Sequence, residues 1–267
     1  MIPPVLKDLH PLILLVLVFF IWLRDLSWVS SSDDTVPILV ALPLFFWIGT
    51  PWKWSDDPKK IPELKLICSS LLFLIGIAFN STIMLAIGWV YYFWSWLVAR
   101  LKDEELSKVK KLLILPFMAF PWVALDADRI GWWFRLSGAW VASKLFYLLG
   151  FDVVLEGTLL IVNGIHIFVE VACAGLNTLQ SMLIAGSAVL FLTLGNTSRY
   201  WWNLPFLVLM SWIANTIRIF FISLAGVLIS PQFAMGDFHV WGGWALLMLM
   251  FVLCWLFFSW QKPKEEK

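Results

Sequence analysis

"NLPFLVLMSWIANTIRIFFISLAGVLI", residues 203–229, runs for twenty-seven residues with one charged side chain, Arg218. A helix rises about 1.5 Å per residue, and about 17–25 mostly apolar residues cross a bilayer core about 30 Å thick. The stretch therefore predicts a membrane span. Its arginine is costly there, and such a residue faces a bundle interior or a cavity unless it snorkels to the headgroups.

The rest of the chain agrees with a membrane setting. It is 61% hydrophobic and 14% charged over 267 residues, whereas soluble domains carry about 25% charged residues. Nineteen tryptophans point the same way, because tryptophan gathers at membrane interfaces. A net charge of +1 gives no sign of a nucleic-acid partner. No hydrophilic stretch is long enough to fold separately. The first apolar run, "HPLILLVLVFFIWL", is not followed by a small-residue cleavage site and is expected to stay as an anchor.

Eight spans can be drawn, at about 8–24, 36–52, 64–80, 82–99, 110–126, 175–195, 203–229 and 239–260. "FNST" joins the third and fourth as a tight hairpin, and Pro43, Pro116 and Pro121 are expected to kink their helices. The predicted fold is an all-α polytopic membrane protein of about eight transmembrane helices. Its longest connection, 127–174, reads as an amphipathic helix, "RIGWWFRLSGAWVASKLFYLLG", followed by a β-hairpin. Gly157 and the "NG" at 163–164 suggest strands near 153–162 and 165–171. The organisation is thus 1–126 with five spans, 127–174 as the connection, 175–260 as a three-span core and 261–267 as a tail.

Orientation follows from the basic residues. With the N-terminus inside and alternating connections, fourteen Lys and Arg fall on inner segments, four on outer ones, and the nineteenth is Arg218. That bias puts both termini in the cytoplasm, with a multi-pass path through the cytoplasmic membrane and 127–174 outside.

Three chemically unusual residues then reach one depth. Cys173, in "VEVACAGLNTLQSM" (169–182), lies where the outer connection enters the sixth span. Arg218 stands fourteen residues past Leu204, roughly 21 Å along a helix and in the outer third of the core. His239, in "GDFHVWGGW", opens the eighth span from the outer side. Each has a plainer account: a packed thiol, a snorkelling arginine, an interfacial histidine. Cys68 and Cys254 sit in plain apolar helix and read as packing. His10 reads as an interface residue and His166 as a hairpin surface residue.

Together the three suit nucleophilic catalysis. A nearby cation favours the thiolate, an imidazole can take the thiol proton and return it to a leaving amine, and a guanidinium can hold an oxyanion. Ala172, Ala174 and Gly175 are small enough to let a substrate backbone near the sulfur. Asn215, three residues before Arg218, shares its helix face and is a candidate to orient it. Glu170 is a candidate partner for Arg218 or His239, although an outward-facing strand carboxylate explains it as well. One Cys and one His leave a tetrahedral metal shell short of ligands, so no metal or cofactor is expected.

The blocks "LLGFDVVLEGTLLIVNGIHIFVEVACAG", "NTIRI" and "FHVWGGW" resemble, in order and spacing, the Cys, Arg and His motifs of the exosortase/archaeosortase family of membrane transpeptidases. The resemblance covers about Leu148 to Leu247, while the first five spans resemble the family in hydropathy alone. It implies Cys173 as nucleophile, Arg218 as its electrostatic partner and His239 as acid and base. The implied partners are membrane-anchored proteins with a C-terminal sorting signal: a short motif, a spanning helix and a basic tail. Cleavage through a thioester would pass the acyl group to an acceptor at the outer surface, and bacterial members often accompany exopolysaccharide export. The chain departs from the commonest family pattern at Ala174, where serine is common, and at Asn177, where a basic residue is frequent. Two other readings compete: a non-enzymatic assembly subunit of a polysaccharide export system, and a transporter. Transport is disfavoured by the scarcity of charges in the other spans.

Overall fold

The computed structural model describes residues 8–30, 32–169 and 175–262. The chain forms two compact units, Met1–Asp126 and Ala127–Lys267.

In the first unit, α1 (His10–Leu23), a 3-10 turn (Ser27–Ser30) and α2 (Ser32–Gly49) lead to α3 (Glu63–Ala78) and α4 (Thr82–Arg100). The α3–α4 hairpin closes over Asn80, at φ 49°, with the Ser81 amide donating to the Gly76 carbonyl at 2.9 Å. Gly76 lets the helices meet, since a Cβ there would lie 2.7 Å from Leu85 Cδ2. Ser69 Oγ donates across the pair to the Gly88 carbonyl at 2.9 Å, so a buried hydroxyl finds a partner inside the apolar contact. At the start of α4, Asp126 Oδ2 accepts from the Ile83 amide at 2.7 Å, satisfying one of the free donors of a helix N-terminus.

Residues 110–126, predicted as one kinked span, instead make three short helices: α5 (Asp103–Leu112), α6 (Ile114–Met118) and α7 (Trp122–Leu125). Lys108, Lys110 and Lys111 belong to the strongly amphipathic α5, which leaves a shorter apolar run than the prediction used. Pro121 then breaks the chain between α6 and α7, because it has no amide to continue the ladder and pushes Phe120 out of helical geometry.

The second unit begins with α8 (Ala127–Leu148), then β1 (Val153–Glu156), β2 (Leu159–Val162) and β3 (Ile165–Phe168). The predicted two-stranded hairpin is thus a three-stranded antiparallel meander, in the order β1-β2-β3. Gly157, at φ +61°, turns the chain inside what the sequence suggests is one strand, and Asn163–Gly164, at φ 49° and 78°, make the second turn. Both turns need positive φ, which glycine and asparagine tolerate. Period-two alternation places Leu160 and Val162 fully inside, packed with Ala139, Ala142 and Phe146 of α8 and with Val169 and Ile219. The amphipathic helix therefore uses its small-residue side for packing and leaves Trp133 and Trp140 exposed.

The chain continues through α9 (Leu176–Ser181), a π-turn (Met182–Gly186) and α10 (Ser187–Leu194) to α11 (Arg199–Leu228), α12 (Pro231–Met235) and α13 (Asp237–Gln261). Among the described residues, four helices are long and apolar enough to cross a membrane: Thr82–Arg100, Leu176–Leu194, Arg199–Leu228 and Phe238–Gln261. His10–Leu23 and Asp34–Gly49 are shorter apolar helices. This is a helical, multi-pass membrane protein with a small sheet. The end of α13 is pinned to the start of α11 by reciprocal amide bonds between Asn203 and Gln261, at 2.9 and 3.0 Å.

In the first unit, Asp8 collects Trp96 Nε1 and Arg100 Nε, each at 2.9 Å, and Arg100 Nη2 at 2.7 Å. His10 Nδ1 lies 2.6 Å from the Tyr92 hydroxyl beside it. Burial works to raise the Asp8 carboxyl's pKa, but hydrogen bonds from Trp96, the His10 amide and Arg100, with the Arg100 charge, outweigh it and hold the value below the ordinary one. A carboxyl depressed on folding stabilises the fold above its unfolded pKa, and that contribution is lost as pH falls through the folded value. Asp8→Asn should therefore cost about 1–3 kcal/mol at neutral pH, the scale of hydrogen bonds to a charged group. The gap between variant and wild type in thermal unfolding should close below about pH 4.

Candidate active site

Helical spacing sets Ser211, Asn215, Arg218 and Ile222 along one side of α11. Ser211, Asn215 and the neighbouring Thr216 are buried, at 0%, 1% and 5% exposure. A polar row inside an apolar helix is expensive unless it is partnered or serves a site. Here Ser211 Oγ, Thr216 Oγ1, Arg218 Nε and both amide atoms of Asn215 are buried without a hydrogen-bond partner among the described residues.

Arg218 meets His239 across the α11–α13 contact. Its Nη2 lies 3.1 Å from His239 Nε2 and 3.4 Å from Nδ1. A guanidinium has only donors, so any hydrogen bond in this contact runs from Arg218 to the imidazole. Gly243, one turn after His239 on α13, makes the room: a Cβ there would stand 3.3 Å from Arg218 Nε and 3.4 Å from Cζ. The corner between α12 and α13, where the His239 amide donates to the Gly236 carbonyl at 3.0 Å, sets the height at which the imidazole enters.

Arg218 lines two cavities. The smaller, about 30 Å³, is bounded by Ile167, Phe168 and Val169 of the sheet and by Asn215, Arg218 and Ile222 of α11, with Met235. The larger, about 270 Å³, lies between α11 and α13 along Phe221, Phe238, Gly242, Gly243 and Leu246. It is apolar apart from the guanidinium on its wall.

Of the residues singled out in sequence, Arg218 and His239 are in contact, and Asn215 shares the smaller cavity with Arg218. Gly175 sits against Asn215: it adopts φ +73°, and a Cβ would fall 2.3 Å from Asn215 Cγ. Cys173, Glu170 and Ala174 lie outside the described residues. Gly243 carries no polar signal, although its place four residues after His239 within "HVWGGW" is the clue that sequence reasoning passes over. The approach of β3 to Asn215 and Arg218, and the π-turn at Met182–Gly186, have no local signature at all. Such π-turns recur at functional sites.

Two glycines on α13 give a test of this geometry. Gly243→Val should displace the guanidinium and break the contact with His239, whereas Gly242→Ala, which meets nothing within 4 Å, should leave it alone. Histidine ring NMR shifts in the purified chain should move for the first variant and not for the second. Gly175→Ala should destabilise the chain by about 1–2 kcal/mol from the left-handed backbone alone, with more from the contact on Asn215.

No curated protein and no solved structure is significantly similar to this chain. A family model described as transmembrane exosortase matches residues 7–256. The match reaches far beyond the motif-bearing part and takes in nearly all of the first unit. With the family model spanning almost the whole length, the chain belongs to the transmembrane exosortase family.

Proposed function

We propose that the protein is a cysteine transpeptidase or protease of the membrane, cleaving the C-terminal sorting signal of exported proteins through a thioester and passing the product to an acceptor. The observation that carries this proposal is the 3.1 Å approach of Arg218 to His239 in a chain of the exosortase family. In this mechanism the thiol of Cys173 gives its proton to His239 as the sulfur attacks the scissile carbonyl carbon. Arg218, a permanent cation in a low-dielectric setting, swings from the imidazole to face first the thiolate and then the oxyanion. The tetrahedral adduct collapses, the carbon–nitrogen bond breaks, and the imidazolium protonates the leaving amine. An acceptor amine, or water, then loses a proton to His239 as it releases the acyl group from sulfur.

The path proposed for the chain has eight passages through the cytoplasmic membrane, the fifth over residues 110–126, which take in α6 and α7. Both termini are cytoplasmic and the site lies at the extracytoplasmic face. The charge distribution supports this orientation, with fourteen of nineteen basic residues on the inner segments. The substrates are membrane-anchored proteins ending in a short motif, a spanning helix and a basic tail. Neighbouring functions in exopolysaccharide export fit the same family.

Co-expression with such a substrate from the source genome tests the chemistry. Cys173→Ala should abolish processing while abundance and membrane insertion stay unchanged, and Arg218→Ala should slow it roughly 10²–10³-fold, the scale of a lost oxyanion donor. Equal cleavage by Cys173→Ala and wild type would end the proposal. A membrane-impermeant thiol reagent should label Cys173 from the outer side alone, and labelling from the cytoplasm would reverse the orientation.

A further inference from the structure

β3 is an edge strand whose unpaired side opens at the smaller cavity. Its pairing partner β2 takes only half of its main-chain groups. The Val169 amide donates to the Thr158 carbonyl at 3.1 Å, and the register pairs Leu160 with Ile167 and Val162 with Ile165. In an antiparallel ladder, hydrogen-bonded and non-bonded pairs alternate. Ile165, Ile167 and Val169 therefore turn their N–H and C=O groups toward β2, while those of His166 and Phe168 point away from it. Among the described residues no strand pairs with that side.

An exposed row of main-chain donors and acceptors is a template for another strand, but an edge alone does not make a site. The cavity supplies the second observation. Phe168 contributes to its wall together with Ile167 and Val169, so the cavity adjoins β3. Opposite stands Asn215, 1% exposed, with both its carboxamide oxygen and its nitrogen unpartnered among the described residues. Burying an amide with neither group satisfied costs more than evolution ordinarily tolerates, and a carboxamide's acceptor and donor match the N–H and C=O of a peptide group. The space, about 30 Å³, admits one group of roughly a water's size, such as a carbonyl oxygen, and no large side chain.

We infer that the substrate's extended segment docks as a fourth strand on the free edge of β3, with one of its peptide groups hydrogen-bonded to the Asn215 carboxamide beside Arg218. This rests on the proposed peptide-cleaving function and adds to it how the backbone is held. Strand addition recognises main chain, so it fixes register and distance from the site without fixing side-chain identity. Sequence preference then comes from every second residue, those turned toward the sheet's packed face. Asn215 acts as a binding residue for the substrate backbone, beyond any part it has in orienting Arg218.

Phe168→Pro deletes the outward amide and obstructs the edge, yet leaves the Ile167 and Val169 bonds to β2 in place; Phe168→Ala changes only the side chain. With a co-expressed membrane-anchored substrate of the sorting-signal type, the proline variant should raise KM at least tenfold over the alanine variant with kcat little changed. Equal KM values would overturn the inference. Because the proline variant can fail to fold, amide exchange in the Cys173→Ala chain gives an independent answer. With uncleaved substrate bound, the His166 and Phe168 amides should exchange at least tenfold more slowly than without it, and the Ile167 amide should not change. Bound substrate with no protection at Phe168 overturns the inference, whatever happens at Cys173. Protection at Phe168 together with cleavage that does not need Cys173 would sustain strand docking and remove the cysteine chemistry instead.

Discussion

A guanidinium in a membrane helix is the constraint around which the second unit is arranged. Arg218 has no neutral form to retreat to, and an apolar helix offers it no solvent. Its surroundings answer in three ways. His239 meets it with its imidazole ring, Gly243 withholds a side chain so that α13 can pass beside it, and a small cavity keeps space next to it. The first two come from α13 and the third borders β3, so the position of Arg218 fixes the contact of α11 with α13 and the approach of the sheet.

The buried polar row on α11 extends that constraint toward the sheet. Asn215 is confined by Gly175, whose left-handed backbone and missing Cβ are both required at that spot. Further along, Ile219 enters the core that α8 and the sheet share. One helix thus carries its cation on one side and a main packing residue of the sheet's core on another. The sheet is seated by hydrophobic packing, yet its free edge lies beside the polar row. The first unit solves a different problem. Its helices are joined by close glycine contacts and buried hydroxyls, and one charge pair, Asp8 with Arg100, lies where α1 begins and α4 ends.

Several features were legible in the residues because their signals are local. Apolar runs at α4, α9 to α10, α11 and α13 announce themselves by length and composition, and "NG" announces a turn. Arg218 and His239 stand out because charge and imidazole are rare in such runs. Other features misled for equally physical reasons. The β-branched run at 153–162 hides a reversal at Gly157, since two short strands and one long strand have the same composition. Residues 110–126 are apolar enough on average to suggest a span, but Pro121 and the lysines of α5 divide them. Proline in a membrane helix permits either a kink or a break, and packing chooses between them.

By itself, the sequence determined that the chain is a helical membrane protein, which residues would be costly to bury, and which family it resembles. These follow from hydropathy and residue type, properties each segment carries alone. Only the tertiary structure decided that Arg218 touches His239, that Gly243 and Gly175 must lack side chains, and that the edge of β3 opens beside Asn215. Those facts depend on the rotation and height of one helix against another, and a shift of one residue along either would turn a different side chain into the contact.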